Sequence, residues 1–350
     1  MKLQIVSLGI SLLLLLPAGQ AGAASFDCGK ASNPFERAIC GDEALSSADD
    51  RLARTYETAI GGLSTAALGV VRADQRRWLS YAQRACTPDA QPLAAGDYDE
   101  RGLRCLAGVF NDRSRVLEAS RMIDGRRFYP ISREVVLPNP DEVDDPQSNW
   151  PVAQHELALL QLDDAAAYAE DFNAFVKSQA SELSDLAGAL DGTEPDALDP
   201  ASDTSVHVTL HEPATENRIS LEVITYWYGH GAAHGQGHIS YLHYLVDEAR
   251  ALEANDIFTG KRWENAVTKL VAEALRAEHG DNLFFDNDED IAAIVTDPRS
   301  WDLSNDYHLI VQFNPYEVAA YAYGYPVARV SWSDLEPYLA EGAQDVRYGF

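Results

Sequence analysis

Three histidines stand four residues apart in the run Tyr228-Gly-His230-Gly-Ala-Ala-His234-Gly-Gln-Gly-His238. On a helix that spacing would align three imidazoles on one face, an arrangement suited to zinc. The same segment carries glycine at 229, 231, 235 and 237, and glycine disfavours helix. The reading adopted is a Gly-rich turn between two strands, from Tyr226 to Tyr241. There glycine lets the backbone reverse, and His234 satisfies a local hydrogen bond. His230, His234 and His238 are kept as the candidate metal ligands, while no metal or other cofactor is expected. Asp286, Asp288, Asp290 and Asp297 imitate a calcium loop. Ile291 occupies the place that needs glycine and the twelfth residue is not Glu, so a solvated acidic turn is expected. His155-Glu156 has Leu159 where a metalloprotease helix needs its second His. Neither a GxSxG elbow nor a GxxxxGK[ST] loop occurs. No catalytic residue is nominated, and the chain reads as non-enzymatic.

Four cysteines, Cys28, Cys40, Cys86 and Cys105, all lie in the first third and form no CxxC pair. That argues against a zinc knuckle and for disulfides, which would also leave no thiol nucleophile. Four cysteines allow three connectivities. The local pairing Cys28–Cys40 and Cys86–Cys105 is favoured because each closes a short loop, contributing about 3 kcal/mol apiece.

The elements that position these residues fall into two groups. Asn33-Pro34-Phe35-Glu36 reads as a helix start, with Gly41 as a stop. Leu45, Asp49, Leu52 and Tyr56, then Leu68, Val71, Gln75, Trp78, Ala82 and Ala85, then Leu106, Phe110, Arg113 and Leu117 trace helical faces. Three polar residues, Asp49, Gln75 and Arg113, interrupt these apolar stripes. A buried charge must be paired, so they predict a structural network with Asp49 and Arg113 as ion partners.

After about Asp124-Gly125, read as the junction, the period changes. A helix face at Ala165–Val176 is followed by an acidic stretch, 185–203, read as a mobile loop. Alternation at Val206–Leu210, Ile219–Val223 and Tyr307–Phe313 marks strands. Helices are expected at Glu264–Ala277 and Ser333–Leu339, the latter opening on a Ser333…Glu336 box. The expected architecture is therefore two domains. A small all-α disulfide-tied bundle spans 24–125, and an α+β domain with a mainly antiparallel sheet spans 128–350.

Residues 1–23 read as a signal peptide: Lys2, the apolar run Ile5–Leu16, Pro17, then Ala21-Gly22-Ala23. No later segment is apolar enough to span a membrane. A periplasmic or secreted protein is expected.

The chain has 350 residues, 27 Lys+Arg and 55 Asp+Glu, for a net charge of −28. Residues 24–127 hold 15 acidic and 15 basic residues; residues 128–350 hold 40 and 11, a net of −29. So acidic a chain will not hold nucleic acid or an anionic lipid surface by charge, but it suits a basic protein. Tyr226, Trp227, Tyr228 and His234 are the candidate partner contacts, as clustered aromatics beside a Gly turn.

Two resemblances join these observations. Cys28…Pro34-x-Glu36…Ile39-Cys40, Asp49…Leu52…Tyr56, Gln75-x-x-Trp78-Leu79…Arg84-x-Cys86 and Cys105-Leu106…Arg113…Leu117 resemble the LprI-type lysozyme-inhibitor domain over about 26–122. Asp171-Phe172-Asn173, Tyr228…Gly231-x-Ala233-His234-Gly235, Asp256-Ile257-Phe258 and Phe313-x-Pro315-Tyr316-Glu317-Val318-Ala319-x-Tyr321-x-x-Gly324 resemble the extracellular lysozyme-sensing domain of RsiV-type anti-sigma factors, over about 128–339. The chain lacks that family's anti-sigma segment. It also lacks the Thr-Phe-Asp-Asp-Gly motif of the deacetylases in which the domain also occurs. The resemblances imply an exported binder of lysozyme, or another basic muramidase, that protects the cell envelope. The alternative is a peptidoglycan-binding or accessory module of an envelope enzyme.

Overall fold

The structure, a computed structural model, describes residues 24–145, 147–192, 198–211 and 215–348. The expected signal peptide at 1–23 lies outside the described residues.

The first domain is helical. Helix α1 (Pro34–Gly41) starts where expected: Asn33 Oδ1 accepts from Glu36 N at 2.9 Å, with Pro34 in the first turn. Glu36 reaches back one residue further than a capping box, to Ser32 N at 2.7 Å. Gly41 closes α1, and Asp42 at once caps α2 (Glu43–Ile60), accepting from Leu45 N at 2.8 Å. Helices α3 (Thr65–Ala85) and α4 (Glu100–Glu118) open on Ser64 and Asp99 as side-chain caps. Their apolar stripes meet in a core of Leu45, Leu52, Trp78, Tyr81, Leu106, Phe110 and Leu117. Disulfides join Cys28 to Cys40 and Cys86 to Cys105.

The second domain is built on a seven-stranded sheet in sequence order: β1 (Arg121–Ile123), β2 (Arg126–Pro138), β3 (Val152–Leu162), β4 (Ser202–Leu210), β5 (Arg218–Gly229), β6 (Gln236–Leu245) and β7 (Arg250–Ala251). Every pair is antiparallel except β3–β4. That parallel pair requires a crossover, supplied by α5 (Ala167–Leu183), whose Phe172, Val176 and Ala180 pack with Val206, Val208, Leu221 and Val223 of the sheet. After α6 (Ala254–Ile257) and α7 (Trp263–His279), a second sheet in the order β10-β9-β8 forms from β8 (Trp301–Asp302), β9 (His308–Gln312) and β10 (Val327–Ser331). It shares with α7 a core of Val267, Val271, Leu275, Trp301, Val311 and Phe313. The two-domain plan, bundle then mainly antiparallel α+β, is the observed one.

Several local expectations need correction. Asp124-Gly125, expected at the junction, is the two-residue turn of the β1–β2 hairpin, with φ of 49° and 76°. Those are the positive values that a tight turn matched to strand twist demands. The acidic stretch 185–203 is partly ordered: Ala187–Asp191 is a 3₁₀ turn, Leu186 and Ala189 are buried, and β4 begins at Ser202. Its residues 193–197 lie outside the described residues. The helix expected over Ser333–Leu339 is shorter, spanning Trp332–Leu335 with Ser331 as cap. Pro337 follows it inside a 3₁₀ turn, Glu336–Tyr338, because proline has no N–H to continue an α-helix. Asp49 is not the partner of Arg113; it accepts from Ser25 N at 2.7 Å.

Candidate partner-binding face and interdomain cluster

Strands β5 and β6 run past the core as a hairpin whose turn, His230–Gly235, is the glycine-rich segment. Tyr226 and Trp227 are 43% and 45% exposed. Successive side chains of a strand point to opposite faces. Tyr226, Trp227 and Tyr228 therefore form no single patch: Trp227 stands on the side opposite its two neighbours. It borders a cavity of about 310 Å³ with His155, Ser202 and Thr204.

The glycines have a physical reason unrelated to metal. A Cβ at Gly235 would stand 2.2 Å from Tyr226 Oη, and one at Gly237 would stand 2.0 Å from Tyr325 Oη. At Gly229 a Cβ would meet the Trp227 ring at 2.7 Å. At Gly235 the Trp227 carbonyl oxygen would also stand 2.8 Å from the Cβ, so the backbone itself favours glycine there, whereas at Gly229 and Gly237 the obstacle is a side chain that must shift.

His234 sits in this layer. Its ring stacks on Tyr321 at 3.8 Å, its Nδ1 is 2.9 Å from Gly235 O, and its Nε2 is 3.4 Å from Tyr316 Oη. Tyr316 has φ of 72°, an uncommon conformation for a bulky residue and one that neighbours must hold in place. The holding contacts are Tyr316 N to Ala319 O at 3.0 Å, Glu317 accepting from Asn314 N at 2.6 Å, and Asn314 Oδ1 accepting from Ile239 N on β6 at 2.7 Å. Tyr316 is 51% exposed, and Tyr323 and Tyr325 are also open to solvent. The face therefore comprises Tyr226, His234, Tyr316, Tyr321 and Tyr325. Of these, the sequence reading reaches only Tyr226 and His234. The missed signal is the tyrosine density of Tyr316–Tyr325 around Gly324.

The other two histidines stand elsewhere. His230 is buried against Trp150, with Nδ1 3.2 Å from Asn139 Nδ2 and Nε2 3.3 Å from Asp203. His238 pairs across β5 with Thr225. Among the described residues no group of three His, Cys, Asp or Glu could hold a metal ion.

A second cluster lies between the helices and the sheet. The Arg113 side chain is fully buried. It donates to Gln75 Oε1 at 2.9 Å, Ser132 Oγ at 2.7 Å and Asp74 Oδ2 at 3.1 Å, and lies 3.6 Å from Glu134. Asp74 thus takes the place expected of Asp49. Asp74 lies three residues after Val71 and four before Trp78, so helical spacing puts it on the same buried face as Gln75; the sequence carries that signal, and the stripe reading passes over it. Burial, opposed by Arg113, raises Glu134 above the ordinary carboxyl value. Burial, then the Glu134 charge, lifts Glu156 to about 7.

Deeper in the second domain, His243 Nε2 is 2.8 Å from Trp301 O and its Nδ1 2.8 Å from Ser220 Oγ. Burial, then the Arg218 charge, lowers its pKa to about 3. Its neutral form therefore donates to the carbonyl and accepts from the serine. His211 Nε2 is 2.7 Å from Asp302 Oδ1. Burial alone would raise Asp302, but hydrogen bonds from His211 and Ser304 bring it below its ordinary value. His243 on β6 and His211, the residue just after β4, tie the large sheet to Trp301-Asp302 of the small one, so both pairs build structure.

Residues 28–117 match the family described as Lysozyme inhibitor LprI, and residues 255–333 match a protein family of unknown function, DUF3298. No curated protein matches the chain. Among solved structures, a DUF3298 family protein from Pseudomonas aeruginosa PAO1 is similar at 15% identity and a TM-score of 0.44, covering 63% of this chain and 97% of its own. A DUF3298 family member from Bacteroides fragilis NCTC 9343 is similar at 14% identity and a TM-score of 0.45, covering 63% and 96%. The chain thus carries an LprI lysozyme-inhibitor domain at residues 28–117 and a DUF3298 domain at residues 255–333.

Proposed function

We propose that this protein is an exported, non-enzymatic binder of lysozyme, or of another basic muramidase, acting outside the cytoplasm. The observation that carries the reading is the tyrosine and histidine face of the β5–β6 hairpin, set on the part of the chain with net charge −29. Opposite charge on a basic partner speeds encounter, and exposed aromatics held in place supply short-range anchoring. The match to a lysozyme-inhibitor family and the two disulfides support the same reading. Removal of residues 1–23 before folding, a helical unit at 24–125 and an α+β unit at 128–350 belong to this proposal.

Binding kinetics of the full chain with lysozyme test it. Association should slow as salt rises, and Tyr226→Ala with Tyr316→Ala should speed dissociation. Equal retention of lysozyme and cytochrome c would refute specific binding. Exposed tyrosines laid over glycine backbone also suit stacking on sugar rings. Salt-independent binding of peptidoglycan fragments without lysozyme binding would establish that reading instead.

A further inference from the structure

The interdomain cluster contains more hydrogen-bond acceptors than protons. Ser132 Oγ accepts from Arg113 Nη1, and its one proton faces both Asp74 Oδ2 at 3.1 Å and Glu134 Oε1 at 2.7 Å. Tyr81 Oη also carries one proton, and stands 3.0 Å from Gln154 Oε1 and 3.2 Å from Glu156 Oε1. Gln154 cannot be reversed to help, because its amide nitrogen donates to Ala85 O at 3.0 Å. Tyr81 Oη can donate to only one of these two oxygens at a time. With Glu156 ionised, its carboxylate competes for that proton, which opposes the effect of burial and holds its pKa down, and Gln154 Oε1 then faces the phenol oxygen without a proton between them. With Glu156 protonated, Tyr81 donates to Gln154 and Glu156 donates to Tyr81, and both contacts are hydrogen bonds.

Charge placement favours the same proton. Glu134 and Glu156 are directly opposed on β2 and β3, where side chains begin about 5 Å apart. Arg113 faces both Asp74 and Glu134. Arg77 pairs with Asp74 from the solvent side, and Arg133 lies near Glu134. From α4, Arg115 reaches toward Glu156 but is paired with Asp112 and 69% exposed. From β4, Asp203 adds a further negative charge. His207, on the same strand, is held below its ordinary value by burial and then by Arg115, so it stays neutral near pH 7. Glu156 opens on a cavity of about 480 Å³ lined by Asp112, Arg115, His207 and Ile224, which gives its proton a route to water.

The geometry points to Glu156 as a protonated carboxyl that clasps the helical domain to the sheet through Tyr81, a clasp that loosens when the proton leaves. Below about pH 4.5 the group is protonated both folded and unfolded. Between there and its folded value of about 7 the folded chain holds a proton that the unfolded chain has lost, so stability falls as pH rises. Above that window both states are ionised and the loss is constant.

Glu156→Gln replaces the switch with a permanently neutral donor. Urea unfolding of the full-length oxidised protein from about pH 4 to about pH 9 should show the folded-to-unfolded ratio of wild type falling about 300-fold relative to E156Q. Amides of α3 and β3 should exchange faster in wild type than in the variant at the alkaline end, and equally at the acid end. Parallel stability curves would overturn the proposal. Should E156Q fail to fold, infrared spectra of the wild type supply the second arm. They should contain a protonated-carboxyl stretch that disappears with a midpoint near 7, and its absence over that range would overturn the proposal equally.

Discussion

Asp74→Asn is the substitution that most directly tests how the two domains are joined. The change keeps the side chain's size and removes one charge. Asp74 is 2% exposed and accepts from Arg113, Arg77, Ser132 N and Ser132 Oγ. Arg113, wholly buried, would keep Gln75, Ser132 and the longer 3.6 Å approach to Glu134. Removing one partner of a buried ion pair typically costs about 3–5 kcal/mol, because the other charge stays out of water. Glu134 compensates in part, so about 3 kcal/mol is expected, roughly a hundredfold in the folding equilibrium. Asp49→Asn is the internal comparison. Asp49 accepts a backbone hydrogen bond from Ser25 N; Asn keeps an oxygen able to accept it, so the change weakens that bond without removing it and should cost no more than about 1 kcal/mol. Urea midpoints of the two oxidised variants, with unchanged slopes, give the difference. If Asp74→Asn costs no more than Asp49→Asn, the buried network does not carry the stability assigned to it.

Gly237→Ala places a methyl where Tyr325 Oη now lies; partner binding should weaken while the melting temperature moves by only a few degrees, as calorimetry alongside binding kinetics can show. Trp227→Ala should affect partner dissociation less than Tyr226→Ala, because Trp227 faces the other side of the sheet; equal effects would reject the assigned face. Loss of the Cys86–Cys105 bridge, which spans 19 residues, should cost about 3 kcal/mol in a Cys86→Ala, Cys105→Ala protein measured by denaturant titration. His243, held neutral with its pKa lowered to about 3, contributes stability that is complete above pH 6.5 and is lost as pH falls toward 3. His243→Gln should flatten the acid limb of the stability curve.

Helices were legible where the apolar period was long. Leu68, Val71, Trp78, Ala82 and Ala85 mark α3 unmistakably, because one helical face must be buried continuously. The cysteine pairing could be read because short loops between local helices favour it. Long-range pairing was less legible. Arg113 announced that it needed a partner, but Asp49 and Asp74 both lie on helices able to approach it. Only the crossing of α3 over β2 decides between them. The arrangement of the candidate partner residues was hard to read for a different reason. Tyr226-Trp227-Tyr228 looks like a cluster in one dimension, whereas strand alternation divides it. Tyr316, Tyr321 and Tyr325 join Tyr226 only because the loop after β9 is pinned to β6 through Asn314. Glycine at 235 and 237 was the trace of that packing, and a one-dimensional reading assigned it to a turn.

The position of the interdomain cluster also changes how the charge asymmetry must be tested. The balanced helical domain and the acidic second domain look separable in composition, yet their cores interpenetrate. Ala67 and Val71 of α3 belong to the core of the sheet, and Val136 of β2 belongs to the core of the bundle. Cutting the chain near residue 125 would expose these residues, take Ser132 away from Arg113, which keeps Asp74, and leave Glu134 without its opposite charge. Such fragments would report the loss of packing together with any loss of binding. Charge is better varied on the intact protein, at residues that touch neither core. Glu341 and Asp334 are exposed acidic residues of the second domain. Replacing both with Gln should slow association with a basic partner at low salt and have little effect at high salt, where screening has already removed the long-range attraction. An equal proportional change at both salt concentrations would place these residues in direct contact with the partner and remove the steering argument.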